Sequence, residues 1–275
     1  MKNSASARIS ISLSIGKNEV YSYDTYRVAH VTERFFPFSL ICVTFKSTDL
    51  KGLIEVKRNL TIGIFLLIAF ALWTVLIMFV DVQAVGANGS KVGFATFNAW
   101  FHQLTGVHWT LYTVTDWLGL VPLAVCLCFG CLGLCQLIKR RSLFKVDADI
   151  LLLGGYYILA IFGYLFFEMV PINYRPVLIN GFLEASYPSS TTLLVLSVMP
   201  TLLFQINRRS HNKMIKNVVI GFVLLFSAFM VIGRLISGVH WVTDIIGSVL
   251  LSFGLFKLYQ SAVIATDMRN KNGVQ

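Results

Sequence analysis

The residues best suited to chemistry lie between positions 233 and 244, where polar side chains interrupt an otherwise apolar sequence. If residues 239–244 are helical, His240 and Asp244 share one face, so the carboxylate can accept a hydrogen bond from one ring nitrogen and direct the other outward. A histidine held in this way can act as a nucleophile or a base. Arg234 adds a guanidinium group, whose planar donors fit phosphate oxygens. The stretch predicts a phosphoryl-transfer site, and the alternative is a satisfied polar pair at a helix end.

The composition is that of a protein that crosses a membrane several times. Of its 275 residues, 56% are hydrophobic and 13% are charged. With a mean hydropathy of +0.72, the chain lies outside the usage of soluble globular proteins. The formal charge of +10 does not indicate nucleic acid, because the lysines and arginines form short clusters between apolar runs instead of one basic face. We expect one membrane domain and no nucleic-acid partner.

Six apolar runs have the lengths expected of helices that cross the ~30 Å hydrocarbon layer. They span residues 61–80, 118–138, 150–167, 190–206, 218–232 and 245–263. Between residues 86 and 108, aromatic side chains recur at short helical spacings, which predicts an interfacial amphipathic helix. Pro200 should kink the fourth helix or mark its last full turn. The predicted fold is all-α, a polytopic six-transmembrane-helix bundle.

The predicted domain organisation is a single membrane domain with polar extensions. Residues 59–263 form the membrane domain, and residues 264–275 form a tail. Residues 1–58 form a polar, loosely ordered segment, because positions 1–50 lack a sustained helical or alternating period.

The distribution of basic residues predicts the orientation. Of 23 lysines and arginines, all but Lys91, Arg175 and Arg234 fall on the side that carries both termini. By the positive-inside rule, that side is cytoplasmic. We therefore expect a multi-pass protein of the cell membrane, with cytoplasmic termini and an active site on the outer face.

Four of the five cysteines lie in one apolar run, at positions 126, 128, 131 and 135. The run has no histidine or carboxylate to complete a metal site, and cysteine packs readily as a small hydrophobe. The acidic residues on the predicted outer side are scattered. We expect no metal and no cofactor.

Two more segments on the predicted outer side favour phosphate. One contains Arg175, and the other is the helix start Pro188-Ser189-Ser190-Thr191. Hydroxyl groups there can cap the helix, and the free N–H groups of a helix N-terminus can bind an anion. Together with residues 233–244, these segments supply two guanidinium groups and backbone amides for phosphate oxygens, and a histidine to attack phosphorus.

The three segments together resemble the signature of the type 2 phosphatidic acid phosphatase superfamily. That family has a lysine seven residues before Arg-Pro, then Pro-Ser-Gly-His, then Ser-Arg, five residues, His, three residues and Asp. Here the matching residues are Arg175-Pro176, Pro188-Ser189, and Arg234 with His240 and Asp244. The resemblance implies that His240 is a nucleophile forming a phosphohistidine and that Asp244 orients it. It also implies that Arg175, Ser189 and Arg234 bind the phosphoryl group, with Ser190 and Thr191 beside Ser189.

Three positions depart from this signature. Glu168 replaces the lysine, Thr191 replaces the histidine that protonates the leaving group, and Gly233 replaces the serine. Glu168 reverses the local charge and should weaken phosphate binding, unless it is protonated or forms a salt bridge with Arg175 or Lys91. We expect the salt bridge.

Thr191 cannot act as an acid at neutral pH, and losing a positioned acid costs about 10²–10⁴-fold in rate. The acid could be another outward group, for which His108 and His102 are candidates, although an interfacial structural role is expected for His108. Otherwise the leaving group must depart without a proton, as the monophosphate released from a lipid diphosphate does.

The sequence predicts a membrane hydrolase that removes phosphate from lipid phosphates or diphosphates, with polyprenyl diphosphate favoured. One alternative is a catalytically weakened homologue that binds a phosphorylated lipid or a protein partner, and another is a lipid phosphotransferase. The expected partners are the lipid phosphate substrate and membrane lipids, and the oligomeric state stays open.

Overall fold

The computed structural model of the protein describes residues 12–14, 20–22 and 47–272. The chain divides into two units, Met1–Thr44 and Phe45–Gln275. In the first unit, strands β1 (Ser12–Ser14) and β2 (Val20–Ser22) pair antiparallel, with Leu13 opposite Tyr21. The sequence did not predict them, because strands of three residues are too short to produce a recognisable alternating pattern.

Within residues 47–272 the chain forms eight α-helices and two short 3₁₀ turns. The helices are α1 (Ser47–Phe79), α2 (Ala95–Thr105), α3 (Trp109–Leu118), α4 (Leu120–Arg140), α5 (Ala148–Met169), α6 (Ser190–Arg209), α7 (Lys213–Ile236) and α8 (Val242–Asn272). The 3₁₀ turns are Ala87–Gly89 and Leu143–Lys145. Six segments of this part are long and apolar enough to cross a membrane, because α3 and α4 join into one, Trp109–Arg140. The prediction of an all-α, six-helix membrane protein is confirmed.

The helices are longer than the apolar runs that predict them. α1 begins at Ser47 instead of residue 61, so the predicted boundary at residue 58 falls inside it. α8 continues to Asn272. α6 passes through Pro200 and ends at Arg209, so Pro200 does not mark its last turn. Polar helical turns can extend beyond the hydrocarbon layer, and hydropathy alone does not detect them.

Helices α6 and α8 form the buried centre of the bundle, whereas α1, α4 and α5 expose most of their apolar surface. α8 packs along α1 and also contacts α5 and α6. α1 and α8 approach closely, since a Cβ atom at Gly63 would lie 3.1 Å from the carbonyl oxygen of Gly254. Small residues of this kind let helix backbones meet inside a membrane, where van der Waals packing holds helices together.

Ion pairs connect the helices at the end of the bundle where α4, α6 and α8 finish. They join the α4–α5 loop to α4 and to the last turn of α6, and the end of α6 to α5 and α8. The pairs are Arg140–Asp147 at 2.7 Å, Arg209–Asp149 at 2.8 Å and Arg208–Asp267 at 2.7 Å. These charges occupy the end that the positive-inside rule assigns to the cytoplasm.

At the opposite end, α1 and α2 fix the first turn of α8. Asn98 of α2 is buried and donates from Nδ2 to Oγ1 of Thr243 at 3.0 Å. Trp73 of α1 donates from Nε1 to the carbonyl oxygen of Thr243 at 3.1 Å. α2 lies within the predicted interfacial helix and exposes the aromatic rings of Phe97 and Trp100. This packing gives the start of α8 a defined position.

Candidate active site

The predicted site residues come together at the end of the bundle where α5 and α7 finish and α6 and α8 begin. Arg175 lies between α5 and α6, Ser189 directly precedes α6, and Arg234 lies in the last turn of α7. His240 precedes α8 and Asp244 lies in its first turn. Each of the five exposes 7% or less of its surface. They form a buried polar cluster between apolar helices.

His240 lies in the short loop between α7 and α8, so the condition that residues 239–244 are helical is not met at His240. Gly238 in this loop has φ +70°, a conformation that ends helices and favours glycine. A Cβ atom at Gly238 would lie 1.9 Å from the carbonyl oxygen of Gly106. The N–H of His108 donates to the carbonyl oxygen of Ser237 at 3.0 Å. The two similar segments 106–109 and 238–241 therefore pack against each other and fix the position of His240.

The imidazole ring of His240 is held by a carbonyl oxygen and a guanidinium group. Its Nδ1 lies 3.1 Å from the carbonyl oxygen of Ser186, and its Nε2 lies 3.2 Å from Nη1 of Arg175. A carbonyl only accepts and a guanidinium only donates, so we assign the proton to Nδ1 and the free lone pair to Nε2. Burial first, then the charges of Arg175 and Arg234, lower the pKa of His240 well below its usual range. The ring is neutral, with its lone pair on Nε2.

Asp244 does not hold the imidazole directly, contrary to the sequence prediction. Its Oδ2 atom lies 3.7 Å from Nδ1 of His240, which is outside hydrogen-bonding distance. The same oxygen accepts the N–H of Trp241 at 2.9 Å and the hydroxyl of Ser186. Because α8 begins only at Val242, Asp244 caps the first turn while His240 stays in the loop. Asp244 thus positions Ser186 and the loop, and Ser186 orients the ring.

Arg175 and Ser186 lie on opposite sides of a small hairpin between α5 and α6. Tyr174 and Ala185 pair across it, and the N–H of Ser186 donates to the carbonyl oxygen of Asn173 at 2.9 Å. The guanidinium of Arg175 places Nε 3.1 Å from Oε2 of Glu184. The hairpin thus holds Arg175 beside both His240 and Glu184.

The predicted salt bridge of Glu168 is wrong. Glu168 is exposed near the end of α5 and forms no ion pair with another residue in the part of the chain that the structure describes. The hairpin turns Arg175 inward to Glu184, so the guanidinium is not available to Glu168. Glu168 therefore stands outside the buried cluster.

Arg234 is enclosed by groups of α3 and α6. Its Nη2 donates to Oδ1 of Asp116 at 3.1 Å and to Oγ1 of Thr191 at 2.5 Å. Its guanidinium carbon lies 4.7 Å from the ring centroid of Tyr112, within the range of a cation–π contact. The Nε atom is buried and has no hydrogen-bond partner among the described residues. This N–H is available to a bound anion.

Gly233 departs from the family signature for a packing reason. A Cβ atom at this position would lie 2.8 Å from Cγ2 of Thr115 in α3. Thr115 is fully buried, so a serine at position 233 would require the Thr115 side chain to move. Glycine therefore allows α3 to lie directly against the last turn of α7.

The start of α6 is better suited to bind an anion than to be capped by a side chain. Ser189 occupies the N-cap position, but its hydroxyl donates to Oγ1 of Thr192 at 3.1 Å and caps no backbone N–H. The N–H of Ser189 bonds the carbonyl oxygen of Asp244 at 3.4 Å, and the N–H of Leu193 bonds the carbonyl oxygen of Ser189 at 2.8 Å. The N–H groups of Ser190 and Thr191 find no acceptor among the described residues. The positive end of the helix dipole therefore lies beside Arg234.

His108 and His102 lie beside the cluster and outside it. His108 is exposed, and its Nε2 lies 2.8 Å from the carbonyl oxygen of Thr105. The ring of His102 packs edge-on against Trp241 at 5.6 Å between centroids, and burial lowers its pKa. A lowered pKa leaves less of the protonated ring to give a proton, so His102 is a weaker candidate for the replacement acid.

Sequence reasoning missed four residues of the cluster, and each lies on a neighbouring element. Ser186 and Glu184 come from the hairpin, Asn173 places Nδ2 3.5 Å from Oδ1 of Asp244, and Asp116 comes from α3. Their spacing along the chain gives no signal, since the fold alone brings them to the site. Among the described residues, no group of histidines, cysteines or carboxylates could hold a metal ion.

Replacing Gly238 with alanine should destabilise the protein strongly. The positive φ would cost about 1–2 kcal/mol, and the clash with Gly106 about 1–3 kcal/mol more. Chemical denaturation in detergent measures the loss, and Gly89→Ala is the matched control. Gly89 has φ +72° and nothing within 4 Å of the added Cβ atom. Equal losses for the two variants would contradict the packing of segments 106–109 and 238–241.

Comparison with known proteins agrees with the resemblance noted from the sequence. Residues 124–265 match the model of the PAP2 superfamily. No curated protein matches the chain. A similar solved structure is the crystal structure of the first transmembrane PAP2 type phosphatidylglycerolphosphate phosphatase from Bacillus subtilis, with 17% identity and a TM-score of 0.49. The similarity covers 75% of this chain and 96% of that one. The family match spans more than half of the chain and contains every residue of the signature from Arg175 to Asp244, so this protein belongs to the PAP2 superfamily.

Proposed function

We propose that the protein is a membrane phosphatase that removes the terminal phosphate of a lipid diphosphate, with His240 as the nucleophile. The observation that supports this most strongly is the environment of His240. Its ring is neutral, Nδ1 bonds the carbonyl of Ser186, and the lone pair of Nε2 points at Arg175. A nucleophilic atom that faces a guanidinium group is suited to attack a phosphorus atom whose oxygens that group binds.

The reaction has two steps. In the first, Nε2 of His240 forms a bond to the terminal phosphorus, and the bond from phosphorus to the bridging oxygen breaks. The electron pair leaves with the lipid monophosphate. In the second, water attacks the phosphohistidine, the P–N bond breaks, and its electron pair returns to Nε2. The products are inorganic phosphate and free His240, and a proton from the water leaves to a base.

The phosphate clamp draws on two arginines and a helix end. The Nη1 group of Arg175 would turn from Nε2 to a phosphate oxygen, and the free Nε of Arg234 would donate to a second. The open N–H groups at the start of α6 would bind the third. Fixed donors of this kind stabilise the charge that spreads over the equatorial oxygens during transfer.

The absence of an acid at position 191 supports a diphosphate substrate, of which polyprenyl diphosphate is the favoured class. A departing lipid monophosphate has a second pKa of about 6, so it leaves without a proton at neutral pH. A lipid alkoxide, which is the leaving group of a lipid monophosphate substrate, does not leave without a proton at neutral pH. The distribution of basic residues supports a site on the outer face of the cell membrane, with cytoplasmic termini.

The alternative that a specific observation favours is a protein that binds a phosphorylated lipid without turnover. Both guanidinium groups already have carboxylate partners, Glu184 for Arg175 and Asp116 for Arg234. A bound phosphate would have to compete with these carboxylates or share the arginines with them. A phosphotransferase would use the same phosphohistidine and pass the group to a lipid hydroxyl instead of water.

Phosphate release by the purified protein separates these functions. We expect release from a prenyl diphosphate such as farnesyl diphosphate to exceed release from phosphatidic acid by at least about 10²-fold in kcat/KM, the lower range for a missing acid. Magnesium chelation should not change the rate. Binding of both lipids with no phosphate release would support the binding protein. Loss of diphosphate with no inorganic phosphate, but with a new phosphorylated acceptor, would support the transferase.

A further inference from the structure

Among the residues that the structure describes, Asp116 is the one carboxylate that contacts Arg234 of α7, and it lies outside the family signature. Its Oδ1 atom is 3.1 Å from Nη2 of Arg234, and 58% of its side chain is exposed. Arg234 itself exposes 2% of its side chain and His240 exposes 1%. Asp116 therefore connects the buried cluster to the medium outside it.

The depth of α3 indicates that this medium is water at the lipid headgroups. The segment Trp109–Arg140 has 32 residues, whereas about 20 residues cross the hydrocarbon layer. The excess turns extend beyond the layer, and Trp109 and Trp117 of α3 are exposed in the manner of interfacial aromatic residues. Asp116 thus faces the region where both water and lipid phosphates are found.

The positions of the groups along the line of phosphoryl transfer determine which catalytic role is open to Asp116. In-line transfer puts the nucleophile and the leaving group on opposite sides of phosphorus. His240 lies on the buried side of the phosphorus atom, so the leaving group departs toward the exposed side. The water of the second step enters from that exposed side. Asp116 and Thr191 share Nη2 of Arg234, at 3.1 and 2.5 Å, but Thr191 is buried whereas Asp116 is exposed, so Asp116 borders this side. A threonine hydroxyl is a poor base at neutral pH, whereas a carboxylate can accept the proton.

We propose that Asp116 is the general base of the second step, a role that rests on the proposed function. Its carboxylate takes a proton from the water as the oxygen of that water forms its bond to phosphorus. The P–N bond breaks at the same time and the electron pair returns to Nε2 of His240. The proton passes from Asp116 to solvent, which its exposed side chain reaches. The first step needs no proton transfer when the leaving group is a lipid monophosphate, so Asp116 acts only in the second.

The experiment is a rapid-quench comparison of wild type and Asp116→Asn with farnesyl diphosphate labelled in its terminal phosphate. The asparagine keeps an oxygen to accept from Arg234 and removes only the basic group. We expect a burst of farnesyl monophosphate close to one equivalent per protein, unchanged formation of labelled protein, and a steady-state rate lower by about 10²-fold. Asp116→Glu should restore part of the turnover. Asp267→Asn, in an exposed ion pair with Arg208 at the opposite end, is the matched control.

The other outcomes overturn the inference in different ways. A first step slowed as much as overall turnover would mean that Asp116 only holds Arg234 in place. A variant that is as active as the wild type, or faster, would mean that Asp116 is not a base, and in the faster case that it competes with the phosphate. If the wild type forms no labelled protein and releases no phosphate, the proposed function itself fails, and that result is separate from any difference between the variants.

Discussion

Replacing His240 with alanine is expected to lower phosphate release from a lipid diphosphate to the background level, a loss on the order of 10⁶-fold by analogy with other nucleophile deletions. No other described group combines a free nitrogen lone pair with contact to Arg175, so no second nucleophile stands ready. Measurement of inorganic phosphate from purified protein in detergent checks this.

The matched control for His240→Ala is His211→Ala. His211 is exposed in the loop between α6 and α7, at the opposite end of the bundle. This variant should keep wild-type turnover. Equal phosphate release from His240→Ala and wild type would falsify the catalytic role of His240.

Replacing Thr191 with histidine is expected to raise the hydrolysis of lipid monophosphates by about 10²-fold, the lower range for a positioned acid. Oγ1 of Thr191 lies 2.5 Å from Nη2 of Arg234, so an imidazole at this position would lie beside the phosphate clamp. Hydrolysis of diphosphates should change little, because their leaving group needs no proton. Comparison of kcat/KM for phosphatidic acid and a prenyl diphosphate measures both effects.

The control for this variant is Thr191→Gln, which adds a polar side chain of comparable length without an acid. A rise for histidine alone supports the missing-acid explanation of substrate preference. If glutamine raises monophosphate hydrolysis equally, the effect comes from repacking around Arg234. If neither variant raises it, another group already supplies the proton and the preference for diphosphates has a different cause.

The sequence predicted the convergence of the site through topology. Arg175, the start of α6, and residues 234–244 fall on one side of the membrane whenever the apolar runs are taken as crossings. Membrane helices are the easiest elements to detect, because every backbone polar group in lipid must be bonded within the segment. The ends of the helices were less accurate, since α1 and α8 continue as polar turns that hydropathy does not register.

The internal geometry of the site could not be predicted, because it depends on backbone conformation and on distant residues. An i,i+4 pair implied a direct bond between His240 and Asp244, but the positive φ of Gly238 keeps His240 out of α8. The bond goes to Ser186, which is 54 residues away in the chain. Similarly, charge alone paired Glu168 with Arg175, whereas the hairpin brings Glu184 to that arginine.

We propose that Nε2 of His240 receives the phosphoryl group, and identification of the phosphorylated atom is the decisive experiment. Wild-type protein is mixed with a prenyl diphosphate, denatured in alkali during turnover, and analysed by phosphorus NMR and by peptide mapping. The tautomer held by Ser186 and Arg175 predicts phosphohistidine at position 240 with the phosphorus on Nε2. Phosphorus on Nδ1, or on any other residue, or active turnover with no phosphoprotein, would contradict the account.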